Sequence, residues 1–184
     1  MKRTMNENQN GMTLIELMVA LAIGVILLTL GVPAFQNMMQ GNQATGAAND
    51  LLGAIRLARS EAVNRAAPVS LCAKEKPDQA DLSCTNGKWK NGWLLFTDTA
   101  GPGAFDAGAG EQLIRVWGPM DSAPVFNGTQ PAYIRFNAQG GLHDTPHAAR
   151  VDFRFKPNGC HGSQARRVEV EKMGSSAVSV VACF

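Results

Sequence analysis

Hydrophobic and polar positions change their rhythm twice along this chain, and each change marks a different kind of element. From Leu17 to Val32 almost every position is apolar, with no polar stripe at any helical angle, and between Met12 and Phe35 Glu16 is the sole ionisable residue. A helix apolar on all sides belongs in a lipid or protein interior rather than on a soluble surface. From Ala47 to Ala66 the pattern narrows: Leu51 or Leu52, Ile55, Ala58 and Ala62 recur at helical spacing, while Arg56, Arg59 and Arg65 take other angles. The two stretches read as one long helix, interrupted in character by Pro33 and softened around Gly41 and Gly46. Its second half is expected to pack on a sheet.

Beyond the helix the period shortens towards two. Ala67 to Lys74, Trp89 to Asp98, Gln112 to Trp117, Ala132 to Asn137, Arg150 to Lys156, Arg166 to Lys172 and Ala177 to Phe184 read as short strands between turns rich in Gly, Pro, Asn and Asp. Asn137-Ala138-Gln139-Gly140-Gly141 predicts a hairpin turn, and the glycine-rich stretch 99–110 an exposed, mobile loop. A helix followed by strands predicts an α+β fold, a long amino-terminal helix with an amphipathic second half packed on an antiparallel sheet head.

Glu16 is the chemical anomaly. An ionised side chain at a bilayer centre costs on the order of 2.5 to 3.5 kcal/mol on insertion scales, so its retention at the edge of an apolar helix points to a partner. The surroundings order as a polar leader with Lys2 and Arg3, then Gly11-Met12-Thr13-Leu14-Ile15-Glu16, then the apolar run. A secretory signal is cut after its apolar core; here the plausible cut precedes it. Residues 12–35 at about 1.5 Å per residue suffice as a helix for a hydrocarbon core of roughly 30 Å. Lys2 and Arg3 before the span, with no comparable basic cluster just after it, place the leader in the cytoplasm and the remainder outside. That remainder, about 145 residues, is enough for one small core. A net charge of +2 gives no footing for a nucleic-acid function by itself.

This order of residues resembles the class III signal of type IV pilins and type II secretion pseudopilins. The resemblance implies a leader at 1–11 removed by a prepilin peptidase between Gly11 and Met12, methylation of the new amino group on Met12, a transmembrane and assembly helix over 12–35, and a periplasmic head over 36–184. Met12 departs from the phenylalanine usual there. In the family the glutamate at the place of Glu16 neutralises a neighbouring subunit's terminal amine, and a proline near the place of Pro33 permits a helix bend. Leu57-Ala58-Arg59-Ser60-Glu61-Ala62, Pro68-Val69-Ser70-Leu71, Gly92-Trp93-Leu94-Leu95-Phe96 and Ile134-Arg135-Phe136-Asn137-Ala138-Gln139-Gly140 narrow the resemblance to the GspH/FimT group, which includes FimU-like and FimT-like minor pilins and the H pseudopilin of type II secretion. It implies a non-enzymatic structural subunit that needs no cofactor, sits in the inner membrane with its head in the periplasm, and then enters a filament. Its partners would be major and minor pilins, the prepilin peptidase, an inner-membrane assembly platform and, before assembly, membrane lipid. A minor pilin incorporated in or at the tip of a type IV pilus and helping to initiate its assembly is the leading reading, a type II secretion pseudopilin the alternative, and a DNA-binding competence pilin the second alternative.

Cys72, Cys84, Cys160 and Cys183 all fall in the outer part, an even number in a chain bound for an oxidising compartment. Three pairings are open; Cys72 with Cys84 and Cys160 with Cys183 is favoured because each joins a strand to a neighbouring loop or terminus, and the second would staple the last strand. No CxxC accompanies His161, which leaves zinc the weaker alternative. His143, His147 and His161 with Asp144 and Asp152 bring no nucleophile motif, and surface histidines explain them. DNA-binding relatives carry arginines after the penultimate strand, where this chain has Gly174-Ser175-Ser176-Ala177. Arg166, Arg167 and Lys172 remain as a small basic group for weak phosphate contact, diluted by Glu169 and Glu171, and alternation places Arg167, Glu169 and Glu171 on one strand face.

Overall fold

A computed structural model describes residues 12–78, 80–85, 87–101, 103–120, 125–127, 131–143, 150–157 and 159–184, with the backbone alone at 30, 33, 34, 37 and 125–127. Gly11, Lys2, Arg3, Asp144 and His147 lie outside them. The chain divides into two units, Met1–Met38 and Met39–Phe184. Helix α1, Leu14–Arg65, begins in the first and ends in the second, and its helical backbone runs through Pro33, Gly41 and Gly46.

In the second unit α1 closes on a defined signal. Ala66 takes a left-handed φ of 49°, the Ala66 amide donates to the Val63 carbonyl and the Ala67 amide to the Ala62 carbonyl. These are the paired bonds of a Schellman cap, and Pro68 follows where no helix can continue. The stripe Ala44, Ala48, Leu51, Ile55, Ala58 and Ala62 is wholly buried.

The strands are β1 Val69–Ala73, β2 Trp93–Thr97, β3 Leu113–Val116, β4 Val125–Asn127, β5 Tyr133–Phe136, β6 Arg150–Lys156, β7 Ala165–Glu171 and β8 Ser176–Val181. They form two antiparallel sheets, ordered β3-β2-β1-β5 and β4-β6-β7-β8. The antiparallel head expected from the sequence is thus built of two sheets, and β4 is a strand the sequence pattern did not mark. The predicted turn at Asn137 forms: the Asn137 amide donates to the Gly141 carbonyl, and Phe136 bridges to Leu142.

One core joins the helix stripe to both sheets: Val69 and Leu71, Trp93 and Leu95, Ile134 and Phe136 come from the first, and Val151, Phe153, Phe155, Val168 and Val170 from the second. Period-two alternation sends Cys72, Leu94 and Phe96 to the opposite face of the first sheet, where Cys84, Leu82 and Phe105 cover them. This is why β1 and β2 read as nearly continuous apolar runs: both their faces are buried. The second sheet has one wet face, and β6 alternates accordingly between buried and open positions.

Candidate assembly site

At the start of α1, the Thr13 hydroxyl accepts the Glu16 amide at 3.3 Å, and the Thr13 carbonyl accepts the Leu17 amide at 3.1 Å. Thr13-Leu14-Ile15-Glu16 therefore has the order of a capping box, with a carboxylate in the first turn where the helix dipole favours it. Glu16 has a local helical role that the sequence reading missed, although the Thr-x-x-Glu spacing carried it. Its side chain is exposed. Around and after it, apolar side chains point outward at every helical angle: Leu14 is 76 % exposed, Leu21 62 %, and Ile15, Met18, Val25, Ile26, Leu27 and Leu28 are all more than half exposed. Exposed apolar surface on this scale marks a segment whose partner is another molecule.

The expectation of a membrane span over 12–35 does not follow from the described residues alone: among them no helix is long and apolar enough to cross a membrane.

In the head unit the four cysteines pair as Cys72–Cys84, with Cα atoms 5.9 Å apart, and Cys160–Cys183, at 5.8 Å. The first fixes the loop leaving β1 over the outer face of the first sheet. The second holds the chain end beside β8, the edge strand of the second sheet, where the Cys183 amide also donates to Gly162 and Lys156 Nζ to the Phe184 carbonyl. Within the Cys72–Cys84 loop, Asp81 accepts the amides of Lys76 and Ser83. The Lys76 amide above all, with the nearby lysine charges, holds the Asp81 carboxyl below its ordinary range.

A second feature escaped the sequence reading. Asp98 and Arg135, buried in the first sheet, form an ion pair at 3.2 Å; Asp98 also accepts the Ser70 hydroxyl at 2.5 Å and the amides of Gly101 and Gly103. Glu111, 6 % exposed, accepts the amides of Ala100 and Asp106. The loop expected at 99–110 has the exposed outer residues foreseen, but two buried carboxylates hold its ends, and Phe105 packs against Phe96. The signal was present as acids at 98 and 111 flanking the glycines.

Arg166, Arg167 and Lys172 do not form one basic patch. Arg167 lies between Asp152 at 2.7 Å and Glu169 at 2.8 Å, within a ladder that also ties Arg150 to Glu169 and Arg154 to Asp152. Arg166, its neighbour on the strand, projects to the opposite face and donates to the carbonyls of Gln164 and Ala165. Lys172 follows β7 and is exposed. Among the described residues no three His, Cys, Asp or Glu side chains group as they would around a metal ion.

Comparison with known proteins fits this architecture. The family model for the prokaryotic N-terminal methylation motif matches residues 7–32, which include Gly11, Met12 and Glu16. The model for GspH, type II transport protein GspH, matches residues 47–174, from the buried helix stripe to the turn before β8. No curated protein matches the chain. Among solved structures, the type IV minor pilin FimU of Pseudomonas aeruginosa strain PAO1 is similar in two crystal forms. One has a TM-score of 0.54 at 18% identity, over 78% of this chain and 96% of that one; the other has 0.53 at 18%, over 76% and 99%. At that identity the likeness speaks for the fold: a helix packed on antiparallel strands. With a methylation motif ahead of the apolar helix and the GspH model covering most of the head, the chain belongs to the GspH family of pilin-like proteins.

Proposed function

We propose that this chain is a minor pilin, a structural subunit incorporated in or at the tip of a type IV pilus and helping to initiate it. One observation carries the reading: an amino-terminal helix apolar on all sides leaves its side chains exposed, ahead of a self-contained, disulfide-bonded head. Such a helix is completed first by lipid, as a single inner-membrane span over residues 12–35, and then by the helices of neighbouring subunits. Cleavage after Gly11 and methylation of Met12 would prepare its end, and Pro33 would let it adapt to the filament. Within that apolar core Glu16 would pair with a neighbour's terminal amine, since two desolvated opposite charges compensate each other and either one alone is costly.

The test separates this pairing from helix capping. Glu16→Ala is expected to leave the chain in the inner-membrane fraction but to remove it from sheared filaments. Thr13→Ala, which removes the cap and keeps the charge, should leave incorporation near the unsubstituted level. Equal incorporation of both variants sinks the charge-pair role.

The family model favours a second reading, a type II secretion pseudopilin, because its name is that of a type II transport protein. Deleting the chain discriminates the two: loss of surface pili with normal export of secreted enzymes supports the pilus, and the converse supports secretion. The DNA-binding alternative is disfavoured by the neutralisation of Arg167 and the backbone bonds of Arg166.

A further inference from the structure

The head carries a cationic cleft that the features above do not use. Between α1 and the β7–β8 turn lies an open depression of about 560 Å³, lined by Arg56, Arg59, Ser60, Asn64, Ser175 and Ser176, and among the described residues no carboxylate lines it. Arg56 and Arg59 sit one helical turn apart. The positions three and four residues from each, Leu52, Gly53, Ile55, Ser60, Ala62 and Val63, include no acid, so neither has a helical counter-ion. Several arginines elsewhere in the head are neutralised, Arg65 by Glu61, Arg135 by Asp98, Arg150 and Arg167 by the ladder, whereas Arg115 stacks on Trp117 and Arg166 donates to backbone carbonyls. Among the described residues Arg56 makes one bond, at 3.3 Å to the Ser176 carbonyl.

Arg59 is half-buried and has no ion pair among the described residues, and two glycine turns come close to it. Gly140 and Gly174, from two different turns, both adopt left-handed backbone, with φ of 78° each. A Cβ on Gly140 would stand 3.1 Å from Arg59 Nε, and one on Gly174 3.0 Å from the same atom. The Arg59 side chain thus lies close beside two turns that also pack on each other, a Cβ on Gly174 falling 1.9 Å from the Gly140 carbonyl oxygen. Like charges one turn apart on a helix repel each other, an arrangement consistent with a site that awaits an anion.

We propose that this cleft binds an acidic side chain of another filament subunit. A guanidinium fork matches a carboxylate in two parallel bonds, and the rim hydroxyls of Ser60 and Ser175 offer further donors. Duplex DNA fits less well: two arginines and Lys172 fall short of the roughly 6–10 phosphate contacts of a DNA-binding surface. The inference rests on the filament reading proposed above.

The experiment uses the full chain in cells that assemble the filament. Arg56→Glu with Arg59→Glu is expected to lower incorporation into sheared filaments at least tenfold. Because Arg59 is packed, Ser175→Glu supplies a second variant: a carboxylate added on the exposed turn should occupy the arginines and lower incorporation in the same way, while Ser175→Arg should not. Tryptophan fluorescence of the chain in detergent should show all three heads folded. A photo-crosslinker at Ser175 should capture a subunit peptide containing Asp or Glu, and reversing that acid to Arg should restore the Arg56→Glu, Arg59→Glu chain. Absence of the unsubstituted chain from filaments refutes the filament reading itself. Its presence, with both the double variant and Ser175→Glu equally incorporated, refutes the cleft alone. Binding of duplex DNA to the detergent-solubilised chain that vanishes in the double variant overturns the carboxylate in favour of phosphate.

Discussion

The two parts of α1 obey the same helical geometry and have opposite fates. In residues 14–28 apolar side chains occupy every angle and stand open; in residues 44–62 they keep to one stripe, and that stripe is buried. A stripe can be covered by the chain's own sheets, because a sheet offers one face to one side of a helix. A helix apolar all round cannot be covered that way and needs an apolar medium or several neighbours. Pattern width, more than hydrophobicity, separates what the chain completes alone from what it leaves to others.

Breaking the self-completed side gives the largest effect. Asp98→Ala strips Arg135 of its buried counter-ion and leaves the Ser70 hydroxyl and two loop amides without their acceptor. Removing one member of a buried pair typically costs about 3–5 kcal/mol. The three tryptophans, Trp89, Trp93 and Trp117, all lie in the head, so thermal unfolding followed by their fluorescence reads its stability directly. A midpoint unchanged by Asp98→Ala would mean that the polar clamp is not structural.

The same substitution on the two sides tests the comparison itself. Leu51 is wholly buried, and Leu51→Ala should cost about 2–5 kcal/mol through lost transfer energy and the cavity left behind. Leu21 is 62 % exposed, and Leu21→Ala should leave the tryptophan-detected midpoint of the detergent-solubilised chain unmoved. If Leu21→Ala shifts that midpoint as far as Leu51→Ala does, the apolar half is part of the head's stability and the contrast fails.

The contrast also explains what could be read in advance. Periodicity located α1 and the strands that contribute to the shared core, because burying side chains on a fixed geometry imposes a fixed spacing. It passed over β4, since three residues of Val125–Asn127 are too few to show alternation. It could not count sheets, because β5 pairs back with β1 through contacts distant in sequence, while β6 pairs with its chain neighbour β7 and not with β5. The clamped loop stayed hidden for a related reason: Asp98 and Glu111 act on backbone amides, which every sequence offers equally. Arg166 and Arg167 looked alike as letters, whereas cross-strand Asp152 and strand parity give them different partners. The Thr13–Glu16 cap was legible in its spacing, but the rarity of a charge beside an apolar run drew attention to assembly instead.

The smallest effect lies where α1 ends in the head. Ala66 sits at φ 49° in the residue position that closes the Schellman cap, and a Cβ in the left-handed region costs roughly 1–2 kcal/mol. Glycine removes that strain but adds freedom to the unfolded chain, a loss of about 0.4–1 kcal/mol by the reverse of glycine-to-alanine stabilisation. Ala66→Gly should therefore stabilise the head by about 0.5–1 kcal/mol, raising the tryptophan-detected midpoint by roughly 1–4 °C for a domain of this size. The side chain is exposed, so no core contact is removed with it. A lowered midpoint would show that the cap is not strained and that unfolded-state entropy dominates there. Membrane insertion and filament incorporation should stay as they were, because this end of the helix belongs to the part that the chain completes alone.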